Sequence, residues 1–234
     1  MSTDQFTKTA RSVVLAGKTY SKIFGIGANK TGSTTLEAVL KLYGLTLPNQ
    51  KEQEARTTFP SFRTDYEALR SFVSRYDAFQ DLPFSEGDTY IALDALFPNS
   101  KFILTERDPE KWFDSMCRFH KKIFRVENLQ SLSEQDVKNK LSYLFPGYLH
   151  QYKRRLLTVF SGGAMKTDWS LIYDKEHYIS EYLSRNNRIK KYFMDAQDKL
   201  LVLDITTLKD TALLCDFLNI PEKFVVEMPH ANKT

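Results

Sequence analysis

The fold of this chain is decided by the stretch KIFGIGANKTGSTTLEAVLKLYG, which runs from Lys22 to Gly44. Its first six residues form a short apolar run typical of a buried strand, and residues 33–43 have the periodicity of an amphipathic helix. The turn between them contains Gly27 and Gly32, which suit a tight bend because they lack a Cβ atom. Inward-pointing backbone N–H groups and a helix N-terminus together bind anions. The stretch therefore predicts a phosphate-binding loop.

The lysine of this loop is displaced from the position that a nucleotide triphosphatase requires. In that class of enzyme the lysine directly follows the second glycine, whereas here Ser33 follows Gly32 and Lys30 lies two positions before it. A plain strand-to-helix turn is the alternative to a phosphate site. The loop residues that we expect to contact phosphate are Asn29, Lys30, Thr31, Gly32, Ser33 and Thr34.

Further apolar runs predict more strands of the same sheet. KFILTE (101–106) and LLVLDI (200–205) are clear candidates, and YDAFQD (76–81) is a weaker one. Because helical patterns separate these runs, the sequence predicts a three-layer α/β fold with a central parallel sheet of about four to five strands. Ligands of such sheets bind at the carboxyl ends of the strands. The predicted helices cover residues 33–43, 88–97, 109–126, 133–160 and 175–193.

A second candidate phosphate contact follows the strand KFILTE. Arg107 stands at the end of this strand, Asp108 can cap the next helix, and Pro109 fits the first helical position. Ser115 comes eight positions after Arg107. A guanidinium and a hydroxyl together bind phosphate well, although an arginine beside a capped helix also commonly forms a plain surface ion pair.

Taken together, the two motifs resemble those of the sulfotransferase family, whose members transfer sulfate from 3′-phosphoadenosine-5′-phosphosulfate (PAPS) to a hydroxyl or an amine. Residues 30–34 resemble the family's 5′-phosphosulfate loop, and Arg107 with Ser115 resembles its 3′-phosphate motif. ILTERDPEKW (103–112) is similar to the ILTxRDPxxW of a compact branch, as is KLLVLDI…LCDFLNIP near the C-terminus. The resemblance implies a P-loop-like fold.

The resemblance also implies roles for individual residues. Lys30 would stabilise the bridging oxygen as the bond to sulfate breaks, and no metal would be needed. Asp81 precedes Leu82-Pro83 where many family members place a catalytic histidine; it is our candidate general base, with an Asx turn as the alternative. Ser115 would assist catalysis and binding. Thr206 would lie near the adenine, and Lys233 would contact the 3′-phosphate, because the family's late Arg-Lys-Gly loop is missing here.

Composition limits the class of protein and its partners. The chain has 234 residues, 42% of them hydrophobic and 26% charged, with a net charge of +4. We expect one domain over residues 21–234 and a partly flexible N-terminal segment over residues 1–20. The charge is too small to indicate nucleic acid, and no apolar run is long enough to span a membrane, so we expect a cytoplasmic enzyme. The expected partner is a small-molecule acceptor or a glycan, and a homodimer stays open.

Two other functions fit parts of the sequence. A P-loop kinase or nucleotide triphosphatase would use the spacing of Gly27 and Gly32, with Asp204 holding magnesium. A non-catalytic nucleotide-binding protein on the same fold is the second. The acceptor itself is not indicated, although residues 57–75 and 118–160 are rich in Phe and Tyr and are the expected walls of its pocket.

Overall fold

The computed structural model describes residues 2–229, which form two compact units. The first unit comprises the described residues up to Arg107 and those from Asn186 onward, and the second is Asp108–Arg185. The strands are β1 (Ile23–Gly25), β2 (Ala78–Phe79), β3 (Lys101–Thr105), β4 (Thr158–Ser161), β5 (Ala164–Thr167) and β6 (Leu200–Leu203). The α-helices are α1 (Thr3–Gly17), α2 (Ser33–Leu42), α3 (Gln50–Phe62), α4 (Tyr66–Val73), α5 (Thr89–Leu96), α6 (Pro109–Phe124), α7 (Glu134–Asn139), α8 (Tyr148–Leu156), α9 (Lys175–Tyr192) and α10 (Ala212–Phe217).

The first unit is built on a four-stranded parallel sheet in the order β2-β1-β3-β6. Successive side chains of a strand point to opposite faces, and β1 shows this directly: Ile23 and Phe24 belong to two different hydrophobic clusters. The Ile23 cluster includes residues of α1, α2 and α10, while the Phe24 cluster includes residues of α4, α5 and the end of α9. The predicted three-layer α/β fold with a central parallel sheet is therefore confirmed.

The N-terminal residues contain a helix that the sequence pattern does not predict. Ser2 accepts a hydrogen bond from the Gln5 amide and so caps α1, and Ala10 and Val14 are buried in the core of the first unit. The partial flexibility expected for residues 1–20, and the single domain expected for residues 21–234, stay predictions.

In the second unit, the single long helix predicted for residues 133–160 is wrong. Instead, α7 ends at Asn139, α8 starts at Tyr148, and a β4–β5 hairpin begins at Thr158. Pro146 cannot donate to a helical hydrogen bond, and Gly147 has a positive φ of 85°. Gly162 and Gly163 supply the reversal that folds the following residues into antiparallel strands.

The core of the second unit encloses a lysine among aromatic rings. Lys153 on α8 is 2% exposed. Its Nζ donates a hydrogen bond of 2.9 Å to the Tyr178 hydroxyl and lies 4.1 Å from the ring centroid of Tyr173. Burial lowers the pKa of Lys153 to about 7, because the charged form loses its hydration.

Candidate active site

The candidate site lies at the carboxyl edge of the first unit's sheet. The loops that follow β1, β2, β3 and β6 carry most of the polar residues that the sequence marks as functional. This edge is where ligands of open parallel sheets bind.

The loop after β1 has the backbone of an anion cradle. Lys30 adopts a left-handed conformation with φ of 69°, and Gly32 follows with φ of 102°. Gly32 is also the N-cap of α2, and its carbonyl accepts the first helical hydrogen bond from Leu36 at 3.1 Å. As glycine has no side chain to cap the first N–H groups of α2, these donors and the positive end of the helix dipole suit an anion.

Two glycines let this loop approach the neighbouring strands closely. A Cβ atom at Gly27 would lie 2.0 Å from Oγ1 of Thr105 and 2.4 Å from the carbonyl oxygen of the same residue. A Cβ atom at Gly32 would lie 2.3 Å from Cγ2 of Ile205 and 3.6 Å from Cγ2 of Thr206. The ends of β3 and β6 therefore fix the position of the loop.

Thr31 holds the loop in shape from the inside. Its side chain is fully buried, and its hydroxyl donates a hydrogen bond of 2.5 Å to the Ala28 carbonyl. The hydroxyl of Thr105 lies 2.6 Å from the Thr31 hydroxyl. Sequence reasoning missed Thr105, whose position at the end of a strand was the available signal. A contact between Thr31 and the nucleotide stays a prediction.

Asp81 is joined to the loop after β1 through Ser33. The Ser33 hydroxyl donates a hydrogen bond of 3.1 Å to Oδ2 of Asp81, and the Leu82 amide donates one of 2.9 Å to Oδ1. Burial raises the pKa of the Asp81 carboxyl, and these two hydrogen bonds and the charge of Lys30 partly oppose the increase. The local bond to Leu82 belongs to the turn, whereas the bond to Ser33 places the carboxylate beside the candidate phosphate loop.

A buried glutamine supports the backbone around Asp81. Gln53 is 1% exposed, and its Nε2 donates hydrogen bonds to the carbonyls of Gln80 at 2.7 Å and Leu82 at 2.6 Å. These carbonyls flank Asp81, which has a positive φ of 61°. The peptide bond between Leu82 and Pro83 is cis. Gln53 is thus a positioning residue that sequence reasoning did not find.

Arg107 also reaches the loop that carries Lys30. Its Nη1 donates a hydrogen bond of 3.4 Å to the Lys30 carbonyl. As expected, Asp108 caps the following helix by accepting from the Lys111 amide at 2.9 Å, and Pro109 is its first residue. Ser115 lies on this helix in the second unit, and its action together with Arg107 stays a prediction.

Four more residues are expected to contact the donor, and the structure describes three of them. Thr206 is exposed after β6, and its amide and hydroxyl donate to Oδ1 of Asp204 at 2.9 Å and 2.6 Å. Thr34 is exposed at the start of α2, and Asn29 is partly buried in the loop. Lys233 lies outside the described residues. Within residues 2–229, no group of three or more His, Cys, Asp or Glu side chains is arranged to hold a metal ion.

Comparison with known proteins identifies the family of the chain. A family model described as a sulfotransferase domain matches residues 22–234. The chain therefore belongs to the sulfotransferase family, as the motifs around Lys30 and Arg107 indicate. A search of curated proteins found no match. In the part of the chain that the structure describes, we find no helix with the length and apolar character needed to cross a bilayer.

Proposed function

We propose that this transferase moves the sulfuryl group of PAPS to an acceptor hydroxyl or amine and releases 3′-phosphoadenosine 5′-phosphate (PAP). The observation that carries the proposal is the 3.1 Å hydrogen bond between Ser33 and Asp81. It holds a carboxylate of raised pKa against the loop that presents Lys30. A base and a cation on adjacent loops are what transfer to a neutral acceptor needs.

The shape of the loop after β1 suits the 5′-phosphosulfate end of the donor. The left-handed Lys30 and Gly32 precede the N–H groups at the start of α2, which no N-cap side chain covers. A group with two negative charges is favoured there by both the donors and the helix dipole. Ser33 and Thr34 add hydroxyls to the same helix start. We assign Asn29 and the Gly32 backbone to this end of the donor as well, and Thr31 acts on it through the loop whose shape it fixes.

The donor supplies an activated sulfur–oxygen bond, and the residues of the chain move the proton and stabilise the charge. The acceptor hydroxyl gives its proton to Asp81 while its oxygen bonds to sulfur. The bond between sulfur and the bridging oxygen breaks, and the ammonium of Lys30 stabilises the electron pair left on that oxygen. Because its pKa is raised, the Asp81 carboxylate is a stronger base than an ordinary aspartate.

The other expected residues complete the proposal. Arg107 and Ser115 would bind the 3′-phosphate, and Ser115 would also assist catalysis. Lys233 would add a second cation for the same phosphate. Thr206 would lie beside the adenine. No metal enters the proposed reaction. The acceptor would be a small molecule or a glycan and not a nucleic acid. The protein would act in the cytoplasm, as a monomer or as a homodimer.

A transfer assay tests this function. The protein is incubated with PAPS labelled in the sulfuryl group and a panel of phenols, alcohols, amines and sugars. We expect label in at least one acceptor with the wild type, and none with Lys30→Ala. Gln151→Ala serves as the matched control, because Gln151 is an exposed residue on α8. Transfer by Lys30→Ala at the wild-type rate would contradict the role of the lysine, and absence of both transfer and PAP binding in the wild type would contradict the proposed function.

A further inference from the structure

The β4–β5 hairpin of the second unit exposes two large apolar side chains side by side. Phe160 on β4 is directly opposite Met165 on β5 in the antiparallel register, so both side chains lie on the same face. Phe160 is 74% exposed and Met165 is 77% exposed. Water thus contacts most of an apolar pair that a strand would ordinarily bury.

The end of the hairpin projects into open space. Gly162 and Gly163 form a two-residue turn in which both φ angles are positive, 62° and 78°. A Cβ atom built on either glycine would meet no heavy atom within 4 Å. The turn and the apolar pair beside it can therefore approach a surface.

The chain that leads into and through the hairpin is rich in basic residues, and Asp168 is the first carboxylate after it. From Val137 to Thr167 the sequence contains six lysines and arginines and no aspartate or glutamate, although the net charge of the whole chain is only +4. Lys153 is buried, and the other five cations are exposed. Among them, Arg154 and Arg155 lie in the last turn of the helix before the hairpin. Lys166 follows Met165 on β5, with its side chain on the opposite face of the hairpin. The apolar pair is thus flanked by positive charge.

We propose that residues 154–167 form a docking surface for an anionic lipid bilayer. Phe160 and Met165 enter the interfacial region of the bilayer, while Arg154, Arg155 and Lys166 contact the lipid phosphates and carboxylates. An exposed apolar tip with basic flanks binds peripherally through apolar burial and electrostatic attraction, and neither contribution is sufficient for stable anchoring by itself. Binding is therefore reversible and sensitive to salt.

Charge argues against a second copy of the chain as the occupant. Two copies that met through this surface would bring together six exposed cations, Arg154, Arg155 and Lys166 of each copy, without a carboxylate from residues 154–167 to compensate them. The strands are also only four residues each, which gives a short edge for pairing between chains. An anionic lipid surface complements both the charge and the apolar pair.

Vesicle cosedimentation tests the proposal on the full chain. Vesicles of phosphatidylcholine alone are compared with vesicles containing phosphatidylserine. We expect the wild type to bind only the anionic vesicles, and the double variant Phe160→Ser/Met165→Ser to bind them at least about tenfold more weakly. Arg154→Gln/Arg155→Gln should lose about fivefold for each cation and show a weaker dependence on salt. Since all four side chains are exposed, the variants should keep the wild-type melting temperature.

A matched control replaces exposed apolar residues elsewhere. Ile91 is 43% exposed and Leu213 is 51% exposed, and Ile91→Ser/Leu213→Ser should bind vesicles as the wild type does. The proposal is overturned if the wild type does not bind anionic vesicles, if the tip variant binds them equally well, or if the control loses as much. It is also overturned if light scattering shows dimers that dissociate in the tip variant without any vesicle binding. PAP binding is independent of all these outcomes.

Discussion

The hydroxyl of Ser33 donates a hydrogen bond of 3.1 Å to Oδ2 of Asp81, which joins the loop after β1 to the loop after β2. The first loop carries Lys30, and the second carries Asp81, the candidate general base. The proposed mechanism depends on this connection, because it places a base beside the loop that would bind the donor.

Replacing Asp81 by Asn should lower kcat by about 10²-fold to 10⁴-fold, since the amide cannot accept the acceptor's proton. PAP binding should be unchanged, as the loop after β1 is intact. In the wild type, kcat/KM should rise as the pH increases through the raised pKa of Asp81 and level off above it, because only the ionised carboxylate is a base. The rate–pH profile measures this directly. An Asn variant that keeps the acidic limb of the profile would exclude Asp81 as the titrating base.

Replacing Ser33 by Ala should move that acidic limb to higher pH. The Ser33 hydroxyl stabilises the ionised form of Asp81, so its removal raises the pKa of the carboxyl further. The measurement is the midpoint of the limb in the variant and in the wild type. Thr34→Ala, one position further along α2 and exposed, is the control that should leave the midpoint in place. A shift of the midpoint to lower pH would contradict the hydrogen-bonded arrangement.

Replacing Gly27 by Ala should destabilise the protein by about 3 kcal/mol or more. The added Cβ would overlap the side chain and the backbone of Thr105, and a strand in the middle of the sheet cannot move away. Gly162→Ala in the hairpin turn is the control: it meets no atom within 4 Å and incurs only the cost of its positive φ, about 1–2 kcal/mol. Urea denaturation compares the two free energies of unfolding. Equal losses would show that the loop does not pack against β3 as described.

Replacing Lys153 by Met should remove a component of the pH dependence of stability. The pKa of Lys153 is about 7 in the folded chain against an ordinary 10.5, so the unfolded chain binds more protons between these values. Wild-type stability should therefore rise with pH across that window. The Met variant should be more stable than the wild type near pH 6 and lose this advantage near pH 10. Melting temperatures measured across the window test this, and parallel profiles would show that Lys153 does not titrate abnormally.

The sequence predicts the sheet well because buried parallel strands are short, continuous apolar runs. All four such runs are strands of the first unit's sheet, including the two-residue β2. Helix α3 was not predictable from periodicity. Its buried residues are the polar Gln53, Thr57 and Thr58, so it lacks the apolar stripe by which an amphipathic helix is recognised.

The candidate site was predictable to the extent that its residues follow strands. Lys30, Asp81 and Arg107 could be proposed because each comes at or soon after the end of an apolar run. Lys30 and Arg107 also match family motifs, whereas Asp81 was chosen for its position before Leu82-Pro83. The supporting role of Gln53 could not, since the carbonyls that it contacts belong to residues 27 and 29 positions later in the chain. Long-range contacts between a side chain and backbone carbonyls leave no local pattern.

Nucleotide binding tests the central claim most directly. The melting temperature of the wild type is measured with millimolar PAP and with millimolar ATP, each in the presence of EDTA and in the presence of magnesium. A nucleotide at about 100 times its dissociation constant should stabilise the fold by about 2.7 kcal/mol. We predict a clear increase with PAP in EDTA, and a smaller one for Lys30→Ala. Stabilisation by magnesium ATP and none by PAP would contradict sulfuryl transfer and support a kinase.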